Sequence, residues 1–170
     1  MDEEELVDVP YINSPMNAIQ AALDLAEVSE NDVLLDLGCG DGRVLVAAAE
    51  RGARAVGVDM SSDRTAAAER LIQRHKVGEH CRVECCNFLS PSFILPEDVT
   101  VLYLFGTPGV NEQLRPLLQD ALRRDVRVVT YNFHLPLTGS DFDVRGTRRG
   151  RIQVTRWSPQ ATASAGCRSA

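Results

Sequence analysis

Asp32-Val33-Leu34-Leu35-Asp36-Leu37-Gly38-Cys39-Gly40-Asp41-Gly42-Arg43-Val44 is the stretch from which the rest of the chain can be placed. Val33 to Leu37 is an apolar run interrupted only by Asp36, the pattern of a strand buried on both faces. Gly38, Gly40 and Gly42 follow at alternate positions, and Val44-Leu45-Val46-Ala47-Ala48-Ala49 then opens an apolar, alanine-rich helix. Glycines let a backbone approach a ligand closely and adopt positive φ. A helix N-terminus behind them offers unpaired N–H groups. The unit is therefore a cofactor cradle.

The next strand decides which cofactor. Arg54-Ala55-Val56-Gly57-Val58-Asp59 ends in an acid, and an acid at the end of a second parallel strand accepts hydrogen bonds from ribose hydroxyls. A phosphate loop needs Gly-Lys-Ser/Thr, whereas Gly42 is followed by Arg43-Val44. A dinucleotide fingerprint wants a small residue where the bulky Arg43 stands. S-adenosylmethionine fits best. It carries no phosphate, and its sulfonium suits a loop containing Asp36 and Asp41.

These residues carry a resemblance. Asp36-Leu37-Gly38-Cys39-Gly40-Asp41-Gly42 with Gly57-Val58-Asp59 is similar to motifs I and II of class I S-adenosylmethionine-dependent methyltransferases. Val9-Pro10-Tyr11-Ile12-Asn13-Ser14-Pro15, Leu102-Tyr103-Leu104, Leu114-Arg115-Pro116 and Val128-Val129-Thr130 resemble segments of one small subfamily. That subfamily holds small bacterial enzymes and the eukaryotic lysine methyltransferases of the ATP synthase c-subunit and adenine nucleotide translocase. The resemblance runs over residues 9–157. It implies a Rossmann-like α/β fold: a mostly parallel seven-stranded sheet, flanked by helices and closed by a C-terminal antiparallel hairpin. It implies cofactor contacts at Asp36, Gly38, Cys39, Gly40, Asp59, Met60, Asn87, Phe88 and Tyr103. Tyr11, Tyr131 and His134 are its catalytic candidates.

Composition bounds the alternatives. The chain has 170 residues, enough for one domain with a full core. Its net charge of −6 argues against nonspecific nucleic-acid or anionic-membrane binding and suits a cationic substrate segment. Five cysteines, odd in number and without CxxC spacing, point to reduced thiols in a cytoplasmic setting rather than to zinc or disulfides. No window is apolar enough for a membrane span, and the acidic start Met1-Asp2-Glu3-Glu4-Glu5 resembles neither a secretory signal nor a presequence. Residues 1–8 read as a flexible acidic N-terminus, 9–157 as the methyltransferase domain and 158–170 as a disordered Ser/Ala/Thr tail.

Between these bounds, Met16 to Val28 has apolar residues at Met16, Ile19, Leu23 and Ala26, an amphipathic helix. Ser61-Ser62-Asp63 caps a helix running to His75, with Ala66, Ala67, Leu71 and Ile72 inward and Gly78 at its end. Cys81 to Cys86 alternates as a third strand. Val99 to Phe105 reads as a central strand, Val110 to Leu122 as a helix kinked at Pro116, and Val126 to Tyr131 as the fifth strand. Phe142 to Thr147 and Arg151 to Trp157 alternate around an Arg148-Arg149-Gly150 turn.

Several positions carry two readings. Tyr11 either sits at the reaction centre or packs the first helix onto the sheet. The family places an acid where Asn87 stands; its amide can still accept from an adenine amino group. Phe88 either stacks on adenine or fills the core. Asp41 contacts the cofactor, orients an amine or caps its own loop. His134 is the titratable residue best placed by topology, while His75 and His80 fall on the surface. The aromatic residues Tyr11, Tyr103, Phe105, Tyr131 and Phe133 suit a lysine pocket and equally an apolar cofactor lid. The expected activity is protein-lysine N-methylation. The alternatives are a small-molecule or RNA acceptor, or a non-catalytic scaffold.

Overall fold

The computed structural model describes residues 14–132, 135 and 144–157, with 144–147 and 157 described by backbone alone. Expectations for Tyr11, Phe133, His134, the acidic start and the 158–170 tail lie outside the described residues. The elements run α1 (Met16–Leu25), β1 (Val33–Leu37), α2 (Arg43–Ala49), β2 (Arg54–Asp59), α3 (Ser62–His75), β3 (Cys81–Cys85), β4 (Val101–Leu104), α4 (Pro108–Gln113), α5 (Arg115–Arg123), β5 (Arg127–Tyr131), β6 (Val144–Arg149) and β7 (Ile152–Trp157). They build one seven-stranded sheet in the order β3-β2-β1-β4-β5-β7-β6. β3, β2, β1, β4 and β5 are parallel, and β7 runs antiparallel to both of its neighbours.

Alternation along the central strands separates two cores. Leu34 of β1 and Val101 and Tyr103 of β4 face α1 and α2. Val33, Leu35 and Leu37, with Leu102 and Leu104, face α4 and α5. Strand residues one apart point to opposite sides, so an unbroken apolar run serves both layers.

The element ends depart from expectation for local reasons. α1 stops at Leu25, not Val28, because Glu27 takes φ +56° and the Val28 N–H returns to the Leu23 carbonyl at 3.0 Å. That is a left-handed helix end without glycine. Met16 is exposed, and Ala22 takes its place in the buried stripe with Ile19 and Leu23. α3 begins under a Ser61 N-cap whose hydroxyl accepts from the Arg64 N–H. It buries Thr65, Ala68 and Ile72 instead of Ala66, Ala67 and Leu71, and Lys76 at φ +57°, not Gly78, ends it. The expected kink is a full break: α4 and α5 meet at Leu114, with Pro116 in the first turn of α5, where no helical N–H is needed. In the hairpin, Arg148 and Arg149 pair inside β6 with Gln153 and Ile152, and Gly150-Arg151 forms the turn.

Candidate active site

From β1 the chain winds outward through β2 to β3 and then crosses back to β4 on the other side of β1, and ligands of open α/β sheets bind at the carboxyl edge of such a switch point. The cavity there is lined by the Gly38–Arg43 loop, by Asp36, Asp59, Met60, Arg64, Phe88, Leu89 and Tyr103, and by Phe105, Gly106, Thr107 and Val110 beyond β4.

The glycine loop is folded against the end of β2. The Gly38 and Cys39 N–H groups both donate to the Val58 carbonyl, at 2.8 and 3.0 Å, and the Gly40 N–H donates to Asp59 Oδ2 at 3.0 Å. Asp59 Oδ1 accepts from the Ser61 N–H at 2.9 Å, with Arg64 Nη1 3.9 Å away. The acid at the end of β2 is therefore fixed from both sides before any ligand arrives. Two glycines make this approach possible. Gly42 has φ +84°, and a Cβ there would stand 2.8 Å from Ala68 Cβ of α3; a Cβ on Gly57 would stand 2.8 Å from Cys39 Sγ.

Asp36 lies at the floor, 3 % exposed, with no hydrogen-bond or ion-pair partner among the described residues. Burial first, then the charges of Asp59 and Asp41, pushes its carboxyl up to about 8. Burial first, then the charges of Asp36, Asp59 and Asp41, pushes the Cys39 thiol up as well, so it is a neutral wall residue. Asp41 clasps its own loop: Arg43 donates from Nη2 to Oδ2 at 2.7 Å and from Nε to Oδ1 at 3.0 Å.

Of the sequence-assigned cofactor positions, Asp36, Gly38, Cys39, Gly40, Asp59, Met60, Phe88 and Tyr103 come together here. Asn87 does not line the cavity. It is exposed, and its Oδ1 accepts from the Leu89 N–H at 3.0 Å. Tyr131 stands one ring behind the wall, packed edge-on against Phe105 with centroids 5.1 Å apart. Tyr11 and His134 lie outside the described residues. His80 is exposed, as is His75, whose Nδ1 is 3.2 Å from Glu50. Sequence reasoning missed Ser14, whose Oγ accepts from the buried Tyr103 hydroxyl at 3.2 Å, and missed Arg64, Thr107 and Val110. Arg64 had a usable signal, lying one turn past the Ser61 cap. Ser14 had none beyond preceding Pro15.

The site fits the cofactor inferred from the sequence. A buried carboxyl without a partner among the described residues, beside two further acids, favours a cation, and a sulfonium is one. Asp59 offers carboxylate oxygens where a ribose belongs, and Phe88, Leu89 and Met60 offer an apolar slot beside it. Among the described residues no His, Cys, Asp or Glu cluster is arranged to hold a metal, and no helix is long and apolar enough to cross a membrane.

Comparison with known proteins agrees with this geometry. The profile of the ANTKMT methyltransferase domain matches residues 36–141. A protein-lysine N-methyltransferase of Saccharolobus islandicus is 33% identical over 129 residues, covering 75% of this chain and 78% of that protein. The lysine N-methyltransferase of the ATP synthase c-subunit from Xenopus laevis is 28% identical over 128 residues; the match covers 75% of this chain and 55% of that longer protein. An RNA methyltransferase from Salinibacter ruber, solved with S-adenosyl-L-homocysteine, superposes with a TM-score of 0.70 at 28% identity, over 86% of this chain and 92% of that one. The cradle, the fold and these matches agree that the chain belongs to the ANTKMT methyltransferase-domain family and is an S-adenosylmethionine-dependent methyltransferase.

Proposed function

We propose that the protein methylates the ε-amino group of a lysine in a protein substrate. The observation that carries this reading is Phe105 on the cavity wall, backed edge-on by Tyr131, beside an acidic cofactor cradle at the carboxyl edge. The lysine methyltransferases of Saccharolobus islandicus and Xenopus laevis among its relatives support it. Bound S-adenosylmethionine supplies an electrophilic methyl group whose leaving group is a neutral thioether. No general acid is needed, and what remains is to position a neutral amine. Deprotonating a lysine of pKa about 10.4 costs roughly 4.6 kcal/mol at pH 7. A wall of Phe105, Val110 and the buried Tyr103 lowers that cost by disfavouring the ammonium, while ring faces still attract it on arrival.

In this reading Asp59 accepts from the ribose hydroxyls, Asp36 faces the cationic end, and Phe88 packs on adenine. The loop from Gly38 through Cys39 to Gly40 meets the methionine portion. Tyr11, Tyr131 and His134 border the acceptor. The reading places the domain over 9–157 and the protein in a cytosol-like compartment, supported by the free thiols of Cys39, Cys81, Cys85 and Cys86.

The test has two stages. Calorimetry with S-adenosylhomocysteine is expected to give micromolar-range binding, weakened at least about tenfold in Asp59→Ala by loss of a charged hydrogen-bonding partner. Transfer of tritiated methyl groups from S-adenosylmethionine into cell extract, followed by acid hydrolysis, is then expected to place the label in methyl-lysine. Label in RNA or in small molecules would overturn the lysine assignment and leave the cofactor reading intact. Absence of binding would leave a scaffold.

A further inference from the structure

The loop after β4, Phe105-Gly106-Thr107, forms the cavity wall opposite the glycine loop. Only one of its backbone groups is engaged in a backbone hydrogen bond among the described residues, the Thr107 carbonyl, which accepts from the Asn111 N–H at 2.9 Å. Directly behind the loop lies the Asn111 side chain of α4. It is 1 % exposed, and among the described residues neither its Oδ1 nor its Nδ2 has a hydrogen-bond partner. The amide touches the loop so closely that a Cβ built on Gly106 would stand 2.3 Å from Asn111 Oδ1. Two sets of unpaired polar groups, one on the amide and one on the loop backbone, thus face each other across a position that only glycine leaves open.

A buried amide with both ends unpaired destabilises a fold, and an apolar residue of the same shape does not carry that penalty. Leucine would fill the space without it. Asparagine in this place makes sense if its partners form in another state of the protein. The loop is the adjacent element with free donors and acceptors, and it lines the cofactor cavity. We propose that Asn111 is a positioning residue for methyl transfer. When the cofactor fills the cavity, the Gly106-Thr107 backbone settles onto the Asn111 amide, which fixes the wall facing the transferred methyl. The device is a two-state element biased by ligand, with the amide as its latch. It does not depend on which acceptor is methylated.

Hydrogen exchange of the full chain, with and without S-adenosylhomocysteine, tests it. In the wild type, the Gly106 and Thr107 amides are expected to gain protection on binding. Asn111→Leu is expected to raise the apo Tm, to lose that protection, and to bind the ligand about tenfold more weakly, the equivalent of one or two hydrogen bonds formed only in the bound state. Gly106→Ala, whose methyl would displace the amide oxygen, should give the same loss of protection. The proposal is overturned if wild-type exchange at Gly106 and Thr107 is indifferent to ligand, or if the wild type binds no ligand. It is equally overturned if Asn111→Leu binds and protects the loop as the wild type does. A lower apo Tm in Asn111→Leu would also overturn it, because the amide would then be satisfied in the free protein.

Discussion

Asp36 is an acid that nothing among the described residues neutralises, and its behaviour with pH follows. Its carboxyl titrates near 3.8 in a model peptide and is pushed up to about 8 in the fold. Below pH 4 both the folded and unfolded chains hold the proton; between 4 and 8 only the folded chain holds it. The free protein therefore loses stability as pH rises across that window and levels off above it. Asp36→Asn should flatten this part of a Tm-against-pH curve. The same group governs the ligand: only its ionised form attracts a sulfonium. The ratio of S-adenosylmethionine to S-adenosylhomocysteine affinity should climb toward pH 8 in the wild type and stay level in Asp36→Asn, as titration calorimetry at several pH values can read. At this scale the sequence was informative where chemistry and spacing coincide. Asp36 and Asp59 stand at the ends of strands whose apolar runs are unmistakable, so their place at the cavity followed. Asn111, Ser14 and the Asn87-to-Leu89 turn depend on which chain segments come to lie side by side, and nothing in their own neighbourhoods records that.

Among the elements, α2 and α3 are set by the close passage of Gly42 against Ala68. Gly42→Ala combines a left-handed φ with an overlap against Ala68 Cβ and Cα, and should cost about 3 kcal/mol, seen as a shift of the urea midpoint. Because Gly42 also closes the cofactor loop, ligand binding should weaken in the same variant. The existence and type of most elements were legible from periodicity, but their ends were not. α1 and α3 finish in left-handed turns at Glu27 and Lys76, and Asp125 takes φ +59° before β5. The usual marker of such a turn is glycine, and its absence hid all three. α4 and α5 were read as one kinked helix because Leu114, Leu118, Ala121 and Leu122 keep a helical period straight through the break.

The molecule as a whole divides its tasks between the two edges of the sheet. Opposite the cavity, Asp32 precedes β1 and is held by the Thr100 hydroxyl at 2.8 Å, the Ser29 N–H at 2.9 Å and the Arg127 guanidinium, which also donates to the Ala26 carbonyl at 2.6 Å. This largely buried network ties together the amino ends of β1, β4 and β5. Arg127→Ala leaves Asp32 without its counter-charge and should lower stability by about 3–5 kcal/mol. Affinity for S-adenosylhomocysteine measured below the melting range should be unchanged, since the cavity lies at the far ends of the same strands. The strand order was legible only in part. Alternating strands and helices imply a parallel sheet, whereas the placement of the final hairpin came from resemblance, since period-two alternation says nothing about which of its strands meets β5.

That placement bears on how the protein is made. β7 leaves the ribosome after β6, yet it lies between β5 and β6 and carries Ile152 and Val154 into the core. A nascent chain that has emerged only as far as β6 holds β5 with a bare edge and β6 with no strand beside it, so the half-made sheet can template pairing with another chain. The protein is thus most prone to mispairing during its own translation, in the interval before residues 152–157 emerge and close the gap.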